Sequence, residues 1–191
     1  VNVEGEIKLT EIREADWQQP FEPVDLNNGW IIAEPEAEVS FEKGKINFES
    51  QGSFGTGLHE TTQDFLRYIL DEDFSGLKVL DLGTGSGILS IAAALKNAEH
   101  VTALDIRDVT EEVMYNAVLN NITNIDVVIN DVTSHESNVK ENYDVVFINI
   151  GGDETLSCMD LINEVIKDDG KLFVSGLVEW SSDEIYKELN K

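Results

Sequence analysis

Basic residues are scarce in this sequence. Only 13 Lys and Arg residues stand against 38 Asp and Glu, for a formal net charge of -25 at pH 7. Nucleic-acid affinity depends largely on Lys and Arg that neutralise phosphates, so this balance argues against a direct DNA or RNA partner. It favours a basic protein or a small molecule, although the same acids would keep any protein soluble.

Cysteine and long apolar runs are also scarce. Cys158 is the single cysteine, which excludes an internal disulfide and a cysteine-rich metal site, and no other ligand cluster indicates a metal. No apolar run approaches the ~20 residues that a membrane-spanning helix needs. The acidic, alternating start "VNVEGEIKLTEIRE" is unlike a secretory signal. We therefore expect a cytoplasmic protein with no membrane partner.

From residue 60 onward, short apolar strands alternate with helical patterns. This order predicts an α/β fold, with a doubly wound, mostly parallel sheet covered by helices on both faces. The expected strand order is 3-2-1-4-5. The five strands are predicted at 78–82, 101–105, 125–129, 143–149 and 171–176. The helices are predicted at 61–70, 86–98, 108–121, 154–167 and 181–190.

The first fifty residues follow another pattern. We interpret 1–50 as a β segment with a linker, and 51–191 as the cofactor-binding domain. "EIKLTEI" alternates apolar and polar residues, as a half-buried strand does. "WIIAEP" at 30–35 and "KINFES" at 45–50 are expected to pair as a hairpin across the intervening loop.

The stretch "DLGTGSG" places glycines at 83, 85 and 87 between the first predicted strand and a helix. A dinucleotide fingerprint starting at Gly83 would need glycine at Ile88, and a phosphate P-loop would need a Lys after the glycines. Both diphosphate interpretations are therefore disfavoured. Asp105 ends the next strand about twenty residues later, where a carboxylate can accept both hydroxyls of a ribose.

Ligands of doubly wound sheets bind at the carboxyl ends of the strands, where the strand order reverses. Besides the glycine loop and Asp105, the sequence places two further polar side chains there. Asp131 ends the third strand, in a position to meet an adenine edge, and Asn149 ends the fourth. A ligand with ribose and adenine but no diphosphate is S-adenosylmethionine. We predict it as the cofactor, with S-adenosylhomocysteine as its product.

A second glycine-rich stretch, "QGSFGTGLHETTQ" at 51–63, precedes this loop. "FGTGLHETT" followed by "VLDLGTGSGILSIAA", "LDI" and "FINI" resembles the PrmA family, the methyltransferases of ribosomal large-subunit protein eleven. The resemblance runs from about residue 16 to about residue 184. It implies a class I methyltransferase domain that transfers methyl groups to amino groups of a protein, either that basic ribosomal protein or another one.

The resemblance also implies roles for individual residues. Thr62 matches a contact to the methionine part of the cofactor, and Asp105 matches the ribose acid. Asn149 matches an asparagine beside the transferable methyl, which makes it the candidate catalytic residue as well as a cofactor contact. The remaining expected cofactor-binding residues are Phe54, Gly55, Thr56, Asp81, Gly83, Gly85, Gly87, Ile106 and Asp131.

The sequence departs from the family pattern in places. Arg107 stands where the family has an acid, and Gly151-Gly152-Asp153 replaces a Leu-Ala step. We expect the family's N-terminal recognition domain and terminal antiparallel hairpin to be missing. Three alternatives stay open: a small-molecule methyltransferase with the same catalytic domain, a cofactor-binding domain without turnover, and an RNA methyltransferase. The net charge and the lack of an Asn/Asp-Pro-Pro-aromatic motif oppose the last.

Overall fold

A computed structural model describes residues 21–50, 57, 59–131, 139, 142–177, 185 and 187, which contain two sheets and five main helices. The strands are β1 (Val24–Asp25), β2 (Trp30–Ala33), β3 (Gly44–Asn47), β4 (Lys78–Leu82), β5 (His100–Asp105), β6 (Ile125–Ile129), β7 (Tyr143–Asn149) and β8 (Ile166–Ser175). The helices are α1 (Glu60–Asp71), α2 (Ile88–Leu95), α3 (Thr110–Leu119), α4 (Gly152–Ser157) and α5 (Met159–Val165). None of these helices has the length and apolar character to cross a membrane.

The larger sheet is parallel throughout, in the order β6-β5-β4-β7-β8. Counted over the predicted strands, this is the order 3-2-1-4-5, so the predicted doubly wound α/β sheet is confirmed. Strand bounds differ in detail, because β8 starts at Ile166 rather than at residue 171. β5 pairs with one edge of β4, and β7, which comes later in the chain, pairs with the other edge. The topological switch point of the sheet therefore lies beside β4.

The core covers both faces of this sheet. On one face, Val79 and Phe147 pack with α1, α2 and α3, and the ring of Phe65 on α1 lies 5.1 Å from that of Phe147. On the other face, Leu80 and Ile148 pack with α5. Successive side chains of a strand point to opposite faces, so a sheet buried on both sides requires the near-continuous apolar strands that the sequence shows.

The prediction of one helix over 154–167 is wrong. The chain forms two short helices, α4 and α5, that meet at Cys158, and Ile166 pairs with Tyr143 in the sheet. The apolar spacing is helical on both sides of Cys158, so the sequence shows no boundary there. The predicted helix over 181–190 falls largely outside the described residues, although Ile185 and Lys187 are helical.

Cys158 is buried in the core beside α5. Burial, with a smaller contribution from the charge of Glu154, raises the pKa of its thiol to about 11. Because the thiolate is the reactive form, we expect an aromatic disulfide reagent at pH 8 to label the native protein at least about 100-fold more slowly than the urea-unfolded protein. Because Cys158 is the single cysteine of the chain, all of the labelling signal comes from it. Rapid labelling of the native protein would contradict this burial.

The smaller sheet contains β1, β2 and β3. β1 and β2 run antiparallel, joined by a turn in which Asn27 and Gly29 have positive φ angles. The predicted hairpin between 30–35 and 45–50 is wrong, because β2 and β3 pair in parallel. The connection between them is long enough to carry the chain back to the starting end of β2, and the apolar pattern of two strands fixes no relative direction. The predicted strand "EIKLTEI" lies outside the described residues.

The smaller sheet packs into the same core as the larger one. Ile32 and Phe48 are fully buried in the cluster that contains α1, α2 and α3. The Nε of Arg67 on α1 donates a hydrogen bond of 2.7 Å to the carbonyl of Leu26. The two sheets are thus joined by apolar and polar contacts, and the domain boundary at residue 50 stays a prediction.

Two asparagines, Asn116 on α3 and Asn120 directly after it, cover the open edge of β3. The side-chain amide of Asn120 accepts from the N–H of Asn47 at 2.9 Å and donates to its carbonyl at 2.7 Å. Asn116 makes the same two bonds with Glu49, at 2.9 and 3.1 Å. Residues four apart on a helix rise about 6 Å, close to the roughly 6.6 Å between alternate strand residues, so the registers match. We call Asn116 and Asn120 the amide clamp.

Candidate cofactor site

The glycine loop between β4 and α2 has a backbone that favours glycine. Gly83, Gly85 and Gly87 have φ angles of 72°, 54° and 80°, in the left-handed region. A β-carbon at Gly83 would lie 2.5 Å from Cγ2 of Ile150. The missing side chain therefore lets the end of β7 approach the loop, which places Asn149 next to it.

Four amides of this loop, those of Gly83, Thr84, Gly85 and Gly87, donate hydrogen bonds within the protein. The N–H groups of Gly83 and Thr84 both donate to the carbonyl of Leu104, at 2.8 and 3.0 Å. The N–H of Gly85 donates to Oδ2 of Asp105 at 3.0 Å. A phosphate-binding loop instead directs its N–H groups at the ligand. These amides are thus not directed at a phosphate, and the sequence of the loop likewise departs from the dinucleotide and P-loop fingerprints.

Asp81 lies beneath the loop. It is almost fully buried, and its Oδ2 accepts hydrogen bonds of 2.7 Å from the hydroxyls of Thr84 and Ser90. Burial raises the pKa of the Asp81 carboxyl above its ordinary value, while the hydrogen bonds from Ser90 and Thr84 oppose that rise. The contacts tie β4 to the loop and to α2. A direct contact of Asp81 with the cofactor stays a prediction.

Asp105 ends β5 beside the glycine loop. Its Oδ2 accepts the N–H of Gly85, and its Oδ1 accepts the main-chain N–H of Arg107 at 3.0 Å. The Nε of Arg107 lies 3.4 Å from the same Oδ1. The carboxylate is thus fixed in orientation at the switch point, where the sequence analysis expects a ribose acid.

Thr62 and Asn149 meet across the site. Nδ2 of Asn149 donates to Oγ1 of Thr62 at 3.1 Å, although the residues are 87 positions apart. Thr62 lies buried in the first turn of α1, where Nδ1 of His59 accepts the N–H of Thr61 and caps the helix. Oδ1 of Asn149 is buried and has no hydrogen-bond partner. Unsatisfied buried acceptors are uncommon, so this oxygen is suited to a donor from a ligand.

Asn130 and Asp131 follow β6, close to the end of β5. β6 ends at Ile129, so Asp131 lies beyond the strand and is exposed. Asn130, which the sequence analysis missed, is 8% exposed, donates its N–H to the carbonyl of Asp105 at 3.0 Å, and has a buried Nδ2 without a partner. Asn130 directly follows the predicted strand 125–129, which was the only signal for it in the sequence, and a contact of Asp131 with an adenine edge stays a prediction. Ile106, next to Asp105, is 64% exposed.

Phe54, Gly55 and Thr56 lie outside the described residues. Gly57, from the same stretch, has a φ of 81°, and a β-carbon there would lie 2.7 Å from Cδ1 of Ile32 and 3.2 Å from Cδ1 of Ile88. Ile88 is the first residue of α2, directly after the glycine loop. Gly57 therefore lies against both the smaller sheet and the start of α2.

Gly176 is a second residue that the sequence analysis missed. It follows β8, and a β-carbon there would lie 2.7 Å from the carbonyl oxygen of Ile150 and 3.1 Å from Oδ1 of Asn149. Gly176 therefore leaves room around the unpartnered oxygen. A glycine at the last position of the predicted strand 171–176 was the only signal for it.

Known proteins share this fold and this sequence pattern. The family described as "Ribosomal protein L11 methyltransferase (PrmA)" matches residues 2–191. The ribosomal protein L11 methyltransferase of Caldicellulosiruptor saccharolyticus is 34% identical over 194 residues, which cover 98% of this chain and 63% of that protein. The chain thus spans less than two thirds of the length of that relative.

Solved structures agree at the level of the fold. The crystal structure of a ribosomal protein L11 methylase from Lactobacillus delbrueckii subsp. bulgaricus matches with a TM-score of 0.79 and 27% identity, over 89% of this chain and 88% of that one. An rRNA methylase from Streptococcus thermophilus matches in fold alone, with a TM-score of 0.51 and 16% identity, over 70% of this chain and 80% of that one. From the family match over nearly the whole chain and the 34% identity, the chain belongs to the PrmA family of ribosomal protein L11 methyltransferases.

Proposed function

We propose that this chain transfers methyl groups from S-adenosylmethionine to amino groups of ribosomal protein L11. The observation that carries the proposal is the placement of two hydrogen-bond acceptors at the switch point. The carboxylate of Asp105 and the unpartnered Oδ1 of Asn149 end the strands on either side of β4. A ribose diol and a nitrogen that carries hydrogen are donors that such acceptors can bind.

The residues at the switch point fit this cofactor. Asp105 would accept the ribose hydroxyls, and Thr62 with Asn149 would hold the methionine end. The exposed side chain of Ile106 offers apolar surface to a base, and Nδ2 of Asn130 offers a free donor to an adenine nitrogen. The internally paired loop amides suit a ligand that has no diphosphate.

When bound, S-adenosylmethionine supplies a methyl group on a positively charged sulfur that a nucleophile can displace in line. The contribution of the chain is to position the acceptor and to exclude water, so no covalent enzyme nucleophile is needed. Since Thr62 accepts from Nδ2 of Asn149, the amide plane is held and Oδ1 presents its lone pairs in one direction. There it can accept an N–H of a neutral amine and orient the nitrogen lone pair towards the methyl group.

The acidic composition suits the proposed acceptor. A net charge of -25 attracts basic proteins over a long range and raises their rate of encounter. The first turn of α4, which follows Asn149 closely in the chain, carries Asp153 and Glu154. A ribosomal protein acceptor also fits a location in the cytoplasm.

We expect the purified chain, incubated with methyl-labelled S-adenosylmethionine and L11, to transfer label to L11 amino groups, as read by mass spectrometry of its peptides. Asn149→Ala should lower the rate at least about 100-fold, as expected when a positioning group that acts on the reacting atom is removed. Ribosomal RNA and other basic ribosomal proteins serve as competing acceptors. Label that appears in RNA or in a small molecule instead of L11 would show that the proposed acceptor is wrong. Binding of the cofactor without any methyl transfer would contradict the proposal that the chain is an active methyltransferase.

A further inference from the structure

We propose that the side chain of Arg107 occupies the ribose-binding position on Asp105, and that the cofactor must displace it to bind. The inference rests on the proposed function, because it takes Asp105 to be the ribose acid. It adds a residue that sets cofactor affinity in this chain, and it predicts that affinity improves when this residue is shortened.

The starting point is the set of donors around Asp105. Its side chain is only 8% exposed, whereas that of Arg107 is 50% exposed. Oδ2 receives the N–H of Gly85 at 3.0 Å. Oδ1 receives two donors from Arg107, the main-chain N–H at 3.0 Å and the side-chain Nε at 3.4 Å.

Counting acceptor positions shows why these donors compete with a ribose. An ionised carboxylate offers about four lone-pair positions, two on each oxygen. A ribose diol that binds Asp105 in a bidentate manner donates one hydroxyl to each oxygen. Oδ2 has a position left beside the N–H of Gly85, but both positions of Oδ1 are used by Arg107. One of the two Arg107 donors must therefore leave.

The side-chain donor is the one that can leave. The main-chain N–H of Arg107 belongs to the turn that follows β5, and moving it would disturb that turn. The guanidinium is half exposed and ends a flexible side chain, and a distance of 3.4 Å is at the long end for a hydrogen bond. Water can solvate the guanidinium after displacement, so the exchange costs little.

The size of the effect follows from the exposure of Arg107. An ion pair with a solvent-exposed partner changes a folding or binding equilibrium constant by about 1.5- to 5-fold. Added salt screens such an ion pair. Arg107→Ala should therefore bind S-adenosylhomocysteine about two- to fivefold more tightly than the wild type does at low salt. The difference should shrink when salt is raised.

A long-range charge effect can be separated from displacement. S-adenosylmethionine carries a positive sulfur that S-adenosylhomocysteine lacks, so simple repulsion by Arg107 would favour the variant more strongly for the first ligand. Displacement from Asp105 affects both ligands equally, because they share the ribose. Lys171→Ala, which removes an exposed positive charge on β8, is the matched charge control and should leave both affinities unchanged.

The experiment is titration calorimetry of the full chain and of Arg107→Ala and Lys171→Ala with both ligands at low and high salt. The Nε–H resonance of Arg107, assigned by its loss in Arg107→Ala, should also shift as S-adenosylhomocysteine is added. Equal or weaker binding by Arg107→Ala, or a gain confined to S-adenosylmethionine, overturns displacement while leaving the proposed function intact. A wild-type chain that binds neither ligand overturns the proposed function, and this inference with it.

Discussion

Asp105→Ala will weaken the binding of S-adenosylhomocysteine at least about 100-fold, because each hydrogen bond from a ribose hydroxyl to the carboxylate contributes about 1.5–3 kcal/mol. The variant also removes the acceptor of the Gly85 N–H, so the glycine loop loses a contact that fixes its position beside β5. Calorimetric titration of the purified variant measures both the affinity and the binding enthalpy.

A loss of binding has to be separated from a loss of folding. Asp126→Ala removes a carboxylate from the exposed surface of β6, where its Oδ2 lies 3.4 Å from Nε2 of His100, and it should bind as the wild type does. Thermal unfolding of both variants without ligand gives the stability reference. If Asp105→Ala binds within about threefold of the wild type, roughly 0.7 kcal/mol, the ribose acid is another residue.

Asn116→Ala will lower the free energy of unfolding by about 2–4 kcal/mol, because it leaves the N–H and the carbonyl of the half-buried Glu49 without their partners. Asn116 is fully buried, and its side chain satisfies both the N–H and the carbonyl of Glu49. Alanine restores neither bond. Urea unfolding should show a lower midpoint with an unchanged slope.

Asn163→Ala is the matched control for this prediction. It removes the same side chain from an exposed position of α5, and surface substitutions of this kind change stability by about 0.5 kcal/mol or less. A change of less than about 1 kcal/mol in Asn116→Ala would show that water replaces the amide clamp at little cost.

The larger sheet could be predicted from the sequence because its central strands β4, β5 and β7 are nearly continuous apolar runs and helical segments separate most of its strands. The glycine loop and Asp105 could be predicted because they follow the predicted strands β4 and β5, and ligands of such sheets bind at the carboxyl ends of the strands. The family resemblance assigned Thr62 and Asn149 separately to the cofactor, but their direct contact was not predicted, because nothing in a spacing of 87 residues indicates it.

Other features depend on contacts that a linear pattern does not encode. The parallel direction of β2 and β3 is set by where the intervening loop returns the chain. Asn116 on α3 and Asn120 directly after it look like ordinary polar positions, and only the tertiary structure shows that they bind the edge of a strand. The unpartnered Nδ2 of Asn130 and the hydrogen bond from Gly85 to Asp105 likewise depend on how separate segments of the chain come together.

The amide clamp has a consequence for how the chain folds during synthesis. Its bonds join residues 67 and 73 positions apart, so the edge of β3 stays open until α3 has left the ribosome and folded. Contacts of such high sequence separation slow folding, and an open strand edge is a template for pairing with other chains. In a nascent chain that stalls before residue 110 this strand edge has no cover, and the two asparagines close it once α3 is in place.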